Sequence, residues 1–339
     1  MLLVECRETI GLPVRCAEFI PAPLLGEIGP ARDFVVQAVR GMRTILPDGG
    51  IAVMRSPGFM IRRDLFDQAL ARAAEEAGAR ILRATRVLRR EEGEVVVRKR
   101  GEPGEGRVRA TVIIGADGPR STVGRWIGSE NRNLIPAVQW RVPLCLPAEF
   151  TEVYFQPAFY GGYGWLFPAG REANVGLGRK KGKGRDEPIR TVLERFVSEL
   201  AEQGKIKAEP IRATAGWIPA EPVRRVTEGN VLLVGDAAGH THPITGAGVA
   251  QAVLGGRMAG SWAARAAETG DTSLLGSCEE EWRDLFGNVQ QRAFERRLFL
   301  EENWDRLETA LKTSWVAFRE YYADPGPQCH CPRYGAETG

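Results

Sequence analysis

Val231-Leu232-Leu233-Val234-Gly235-Asp236-Ala237-Ala238-Gly239, continuing through Pro243 to Gly246-Ala247-Gly248-Val249, carries the strongest signal in the chain. The apolar run predicts a buried strand that delivers one carboxylate, Asp236, at its C-terminal end, where ligands sit in open α/β sheets. The glycines let backbone approach a flat or phosphorylated ligand, and a helix predicted from about 246 to 267 offers free N–H donors at its start. A strand, a turn and a capping Asp would give part of this pattern without any ligand. The coincidence of strand, acid, Pro and paired Gly favours the ligand.

Working outward, Val108 to Ile114 predicts another strand, ending at Gly115-Ala116-Asp117-Gly118. An Asp-Gly turn alone is common, but beside the Gly235-Asp236 segment it suggests a second wall of the same site. Asp64 to Ala77 has an apolar stripe at helical spacing, with Asp64 suited to the N-cap and Gly78 to the stop. Met1 to Glu5 predicts a short buried strand ending in an acid. From about Asn133 to Ile218 the composition changes. Seven of the 18 residues from Val153 to Gly170 are aromatic, against 8% overall, and alternating runs such as Ala173 to Gly178 predict an antiparallel sheet interrupted by a helix over 188–203. The chain beyond Ala267 is expected to be helical to about Tyr322 and loose after it.

Composition narrows the function classes. The 339 residues are 43% hydrophobic and 26% charged, an ordinary globular balance with length for about two domains. A net charge of +3 argues against a nucleic-acid binder, and the basic stretch Arg80 to Arg109 has no interleaved aromatic residue. The six Cys do not form a disulfide scaffold, and Cys329-His330-Cys331 lacks a fourth ligand, so no metal is expected. Three His give no persuasive Ser-His-Asp arrangement. Neither a signal peptide nor a membrane span is expected, which points to a reduced cytoplasmic protein. The cationic run Arg179 to Arg185 predicts a solvated hairpin tip, with contact to anionic lipid headgroups as the alternative.

The ordered motifs resemble the geranylgeranyl reductase family of FAD-dependent oxidoreductases, which share the p-hydroxybenzoate hydroxylase fold. The resemblance rests on Glu5 to Glu18 (ECRETIGLPVRCAE), Arg63-Asp64-Leu65-Phe66-Asp67, Gly115-Ala116-Asp117-Gly118, Tyr163-Gly164-Trp165-Leu166-Phe167-Pro168 and Gly235-Asp236. It implies an α/β fold in which a Rossmann-like FAD-binding domain (1–132 and 219–268) carries an inserted antiparallel-sheet substrate domain (133–218). A C-terminal helical region (269–324) and a flexible tail (325–339) would follow. It implies that Glu5 holds the adenosine ribose, and that Cys16, Ala17 and Phe19 lie along the flavin. Arg63, Ala116 and Asp117 would flank the dinucleotide, Asp236 would meet its ribityl or pyrophosphate end, and Pro243, Gly246, Gly248 and Val249 would frame the ring. Tyr163, Trp165 and Phe167 would line an isoprenoid channel. Cys16 is the candidate catalytic group, although a small buried hydrophobe serves the same position equally well.

The implied activity is saturation of polyprenyl C=C bonds by hydride from reduced flavin. Electrons would come from NAD(P)H or a ferredoxin-like donor, and the cytoplasmic protein would make peripheral contact with the membrane. A monooxygenase or halogenase of the same fold, or a flavin-free prenyl-lipid binder, are the alternatives. Departures exist: Ala17 stands where the family has Gly, and Ala169 where it has Lys. No G-x-G-x-x-G follows a strand, so the first strand, phosphate loop and first helix of the family are expected to be missing.

Overall fold

The computed structural model describes residues 1–29, 32–182, 187–223 and 225–323. The predicted strand Val231–Leu233 forms, paired in parallel with Ile113–Gly115 in the register Ile113↔Val231. Parallel pairing brings both Gly-and-acid turns to one edge of the sheet. Gly115 is required there, because a Cβ would fall 2.7 Å from Leu233 and 2.8 Å from Val123 of the helix Thr122–Trp126. Leu2–Val4 also forms and pairs in parallel with Arg80–Leu82, but in a separate two-stranded sheet that leaves it half-exposed instead of buried, with Leu3 36% exposed. The helix Arg63–Glu76 begins one residue before expectation, with Asp64 in its first turn and bonded to Arg62 rather than capping.

The substrate sheet differs from the antiparallel insertion that the composition suggests. Its seven strands run 212–219, 134–143, 172–178, 164–169, 150–154, 41–45 and 51–54. Gly41–Ile45 joins Phe150–Tyr154 in parallel, so the sheet is mixed and recruits residues 41–54 from the segment assigned to the FAD domain. The expected start of the sheet at 133 therefore misses its last two strands, which are too short and half-exposed to announce their partner.

Side chains alternate across a strand, and this sorts the aromatic block between two layers. Tyr154 and Leu166 point to one face, together with Phe159, beneath the helix Ile189–Glu202 and its Val192, Leu193, Phe196, Val197 and Leu200. Val153 and Phe155 point to the other, beneath the C-terminal helices with Leu300, Trp304, Leu311 and Trp315. Phe196 is 1% exposed and meets Tyr154 and Phe159 edge-to-face, with centroids 5.1 and 5.3 Å apart. Among the described residues, no helix is long and apolar enough to cross a membrane. The cationic run is not a solvated tip throughout. Arg179 is buried and Lys180 pairs with Glu301 at 2.7 Å, while 183–186 and Cys329-His330-Cys331 lie outside the described residues.

One contact ties the Gly-rich turn to the helical region. The His240 ring stacks on Trp282, with centroids 3.6 Å apart and planes 9° from parallel, and its two nitrogens have no partner among the described residues. Burial pushes its pKa down to about 3, and burial likewise pushes His242 to about 4. Both are neutral when folded and take up a proton only on unfolding as pH falls below about 6.5.

Two outcomes are expected. Phe196→Ala should lose ~3–5 kcal/mol in urea titrations, the usual loss for emptying a packed aromatic site. Stability should be fully present above about pH 6.5 and decline as pH falls toward the depressed values. His240→Phe, which keeps the stack, should reduce that slope by about one proton, ~1.4 kcal/mol per pH unit. Denaturation midpoints between pH 6 and 4 provide the measurement, and an unchanged slope would show that His240 is already charged in the fold.

Candidate functional site

The turn after Val231–Leu233 is built by glycine. Gly235 and Gly239 have φ of 59° and 61°, and a Cβ on Gly239 would fall 2.8 Å from the Glu221 carbonyl oxygen. The chain then passes Pro243 and Gly246 (φ 66°) and enters the helix Val249–Thr269 through Gly248, with no side chain capping its first turn. Its leading N–H groups and dipole are thus open to an anion or a ring carbonyl. Thr241 Oγ1 donates to Asp236 Oδ1 at 2.7 Å. A Cβ on Gly248 would lie 3.4 Å from the same oxygen, so carboxylate and helix start meet at van der Waals distance. Burial pushes the Asp236 carboxyl up, opposed by the Thr241 hydrogen bond and the Arg63 charge.

Arg63 joins segments that are far apart in sequence. Its guanidinium holds Asp67 with bonds of 3.0 to 3.2 Å. Burial alone would lower its pKa, but the Cys16 thiol and Asp67 outweigh that and hold it raised. Cys16 Sγ accepts from the Glu18 amide at 3.2 Å. Cys16, Arg63 and Asp236 therefore occupy one neighbourhood, as their expected roles require. Ala17 offers its carbonyl to Asn174 Nδ2 at 3.0 Å, and Phe19 meets Phe167 edge-on at 6.3 Å. Val249 packs beside Ile20, Ile61 and Phe66.

The aromatic block meets the Gly-rich turn directly. Tyr163 Oη donates to the Thr245 carbonyl, and Tyr163, Trp165, Ile218, Pro243, Gly246 and Arg297 line one pocket. Arg297 was not expected. Its guanidinium is buried, donates to the Pro243 carbonyl at 2.9 Å and to the Gly161 carbonyl, and pairs with Glu301. The i,i+4 spacing to Glu301 was visible in the sequence, but such pairs usually lie on solvated faces.

Other expected residues stand apart from this cluster. Both Asp117 oxygens are engaged by the following helix, accepting from Ser121 Oγ at 2.5 Å and from the Thr122 and Val123 amides at 2.6 and 3.2 Å. That carboxylate caps a helix, and a ligand there would meet backbone or the exposed Ala116 instead. Glu5 stands at the end of its strand as expected, with Oε1 accepting from the Arg7 amide at 2.8 Å.

The residues present fit a flavin dinucleotide. Besides the open helix start, Asn131 Oδ1 and Gln251 Oε1 are buried without partners among the described residues, one bordering the Asp236 turn and one in the first helical turn. Buried oxygens of this kind call for donors from outside the chain. The model for the FAD binding domain matches residues 56–293. A digeranylgeranylglycerophospholipid reductase of Methanothrix thermoacetophila is 35% identical over 331 residues, covering 91% of this chain and 82% of that protein. Digeranylgeranylglycerophospholipid reductase 1 of Methanopyrus kandleri is 33% identical, covering 93% and 91%. The crystal structure of a geranylgeranyl bacteriochlorophyll reductase-like protein from Thermoplasma acidophilum superposes with a TM-score of 0.80 at 27% identity, covering 93% and 90%. The flavin-dependent halogenase CmlS, at 16% identity, TM-score 0.71 and coverage of 95% and 66%, shares the fold alone. The FAD binding domain matched over residues 56–293, together with reductases that match nearly the whole chain, places the chain in the geranylgeranyl reductase family of FAD-dependent oxidoreductases.

Proposed function

We propose that this protein is an FAD-dependent reductase that saturates C=C bonds in the geranylgeranyl chains of a glycerophospholipid. The observation that carries the reading is the meeting of two chemically different walls. One comprises Cys16, Arg63, Asp236 and the start of the helix Val249–Thr269, all polar and aimed at a dinucleotide. The other is the aromatic face of Tyr163, Trp165 and Phe167, which suits an apolar chain. The similarity to reductases of prenyl glycerophospholipids supports the substrate class.

In this reading Glu5 meets the adenosine ribose, Arg63 and Ala116 flank the dinucleotide, and Asp236 meets ribityl or pyrophosphate oxygens. Ala17, Phe19, Pro243, Gly246, Gly248 and Val249 frame the ring. The chemistry the cofactor supplies when bound and reduced is hydride donation to one alkene carbon. The other alkene carbon needs a proton, which we assign to the Cys16 thiol. The Arg63 guanidinium and the Glu18 amide lie beside that sulfur. The aromatic wall excludes water, which keeps the transferred hydride from competing reactions. An external donor of the NAD(P)H or ferredoxin type renews the reduced state, and the lipid reaches the site through peripheral contact with the bilayer.

Incubating the flavin-loaded protein, reduced with dithionite, with a geranylgeranylated glycerophospholipid should add two hydrogens per double bond, read by mass spectrometry. Incorporation of labelled oxygen instead would overturn the reductase reading. Asp236→Ala should lose flavin on gel filtration with its circular dichroism retained. Each charge-assisted hydrogen bond removed is worth ~1.5–3 kcal/mol, or about one to two decades in affinity. Stoichiometric flavin in that variant would show that Asp236 does not hold the cofactor.

A further inference from the structure

The face of the substrate sheet that looks toward the Cys16 loop carries a hydrogen-bonded row across three strands. Trp165, Gly176 and Gln139 are successive partners in register, Trp165↔Gly176 and Gln139↔Gly176, so they share that face. Gly176 makes the row possible. A Cβ there would stand 2.4 Å from the Trp165 ring, so only glycine lets the indole lie across the middle strand. Trp165 Nε1 then donates to Gln139 Oε1 at 3.0 Å, and Gln139 Nε2 donates to the Cys16 carbonyl at 3.1 Å. The amide orientation is forced, because an indole can only donate and a carbonyl can only accept. Both side chains are 7% exposed, so water does not compete for these bonds.

The next row repeats the device. Arg141 and Asn174, also partners in register, bond the Glu18 carboxylate at 2.8 and 3.0 Å, and Asn174 also holds the Ala17 carbonyl. Glu18 has φ 69°, a left-handed conformation that a non-glycine residue keeps only when its surroundings enforce it. The Cys16–Glu18 loop is thus held residue by residue by the sheet, and of these holds the Gln139 bond alone continues to a residue lining the aromatic pocket.

We infer that Gln139 is a positioning residue that couples Trp165, in the substrate pocket, to the placement of Cys16. The coupling rests on geometry alone, and its consequence for turnover rests on the reductase reading above. A chain seated against Trp165 bears, through one amide, on the backbone that carries the thiol.

A double-mutant cycle on the flavin-loaded full chain tests the relay. The readout is the alkylation rate of Cys16 by iodoacetamide, localised by mass spectrometry and independent of reductase activity. Trp165→Phe removes the indole donor and should change the Cys16 rate by about fivefold, the scale of one neutral hydrogen bond. In a Gln139→Met background the same change should have no further effect. An equal effect of Trp165→Phe in both backgrounds, or none in either, would overturn the relay. If Gln139→Met fails to fold, Gln139→Leu replaces it, since it likewise can neither accept from Trp165 nor donate to the Cys16 carbonyl. A kcat that falls about fivefold in Gln139→Met, with KM within about twofold, extends the coupling to catalysis. Coupled alkylation with an unchanged kcat supports the relay and overturns the part of Cys16 in proton delivery.

Discussion

The buried Glu18 carboxylate is the joint between the two halves of the molecule. Oε1 accepts from the Arg63 amide at the start of the helix Arg63–Glu76, and Oε2 accepts from Arg141 and Asn174 of the substrate sheet. A carboxylate that is 2% exposed is tolerable only because every one of these donors is present. Arg141 in turn spends a second bond on Glu172 at 2.7 Å, so the charge on the arginine is shared between two acids. The position of Cys16, the entry of the Arg63 helix and the angle of the sheet all follow from this one cluster. Removing a single partner would strand a buried charge, a loss of ~3–5 kcal/mol in comparable pairs.

From that joint the polarity of the site falls into order. On one side stand backbone donors and two opposed charges, Asp236 and Arg63, arranged around glycines that permit close approach. On the other side lie the aromatic residues, bounded by Arg297, whose guanidinium is spent on two carbonyls and Glu301. Tyr163 links the sides by donating to the Thr245 carbonyl, in the loop that leads into the helix Val249–Thr269.

The strand, Gly-rich turn and helix start around Asp236 were legible in the sequence because their signals are local. A short apolar run, one acid and glycines at fixed offsets describe a strand, a turn and a helix start whatever lies around them. Asp117 shows the limit of such signals. The same strand-and-acid pattern produced a helix cap there, because Ser121 and two amides lie close enough to take both oxygens. The strands 41–45 and 51–54 and the burial of Arg179 and Arg297 left no such trace. Strand 41–45 pairs with 150–154, and the Pro243 and Gly161 carbonyls that hold Arg297 are likewise distant in the chain; charged residues are buried only where a specific partner waits.

The sequence by itself determined the Gly-rich turn with Asp236 and the aromatic character of residues 153–170, because each depends on neighbours within a few residues, while the fold family followed from the resemblance of motifs ordered along the whole chain. Tertiary structure alone decided which aromatic residues face the site. Strand alternation sends Tyr154 and Leu166 beneath one helix and leaves Trp165 and Phe167 on the side of Cys16, Phe19 and Gln139. It also decided that Cys16, Arg63 and Asp236 share one neighbourhood, since contacts between residues so far apart in the chain arise only when the sheet and the helices close around Glu18.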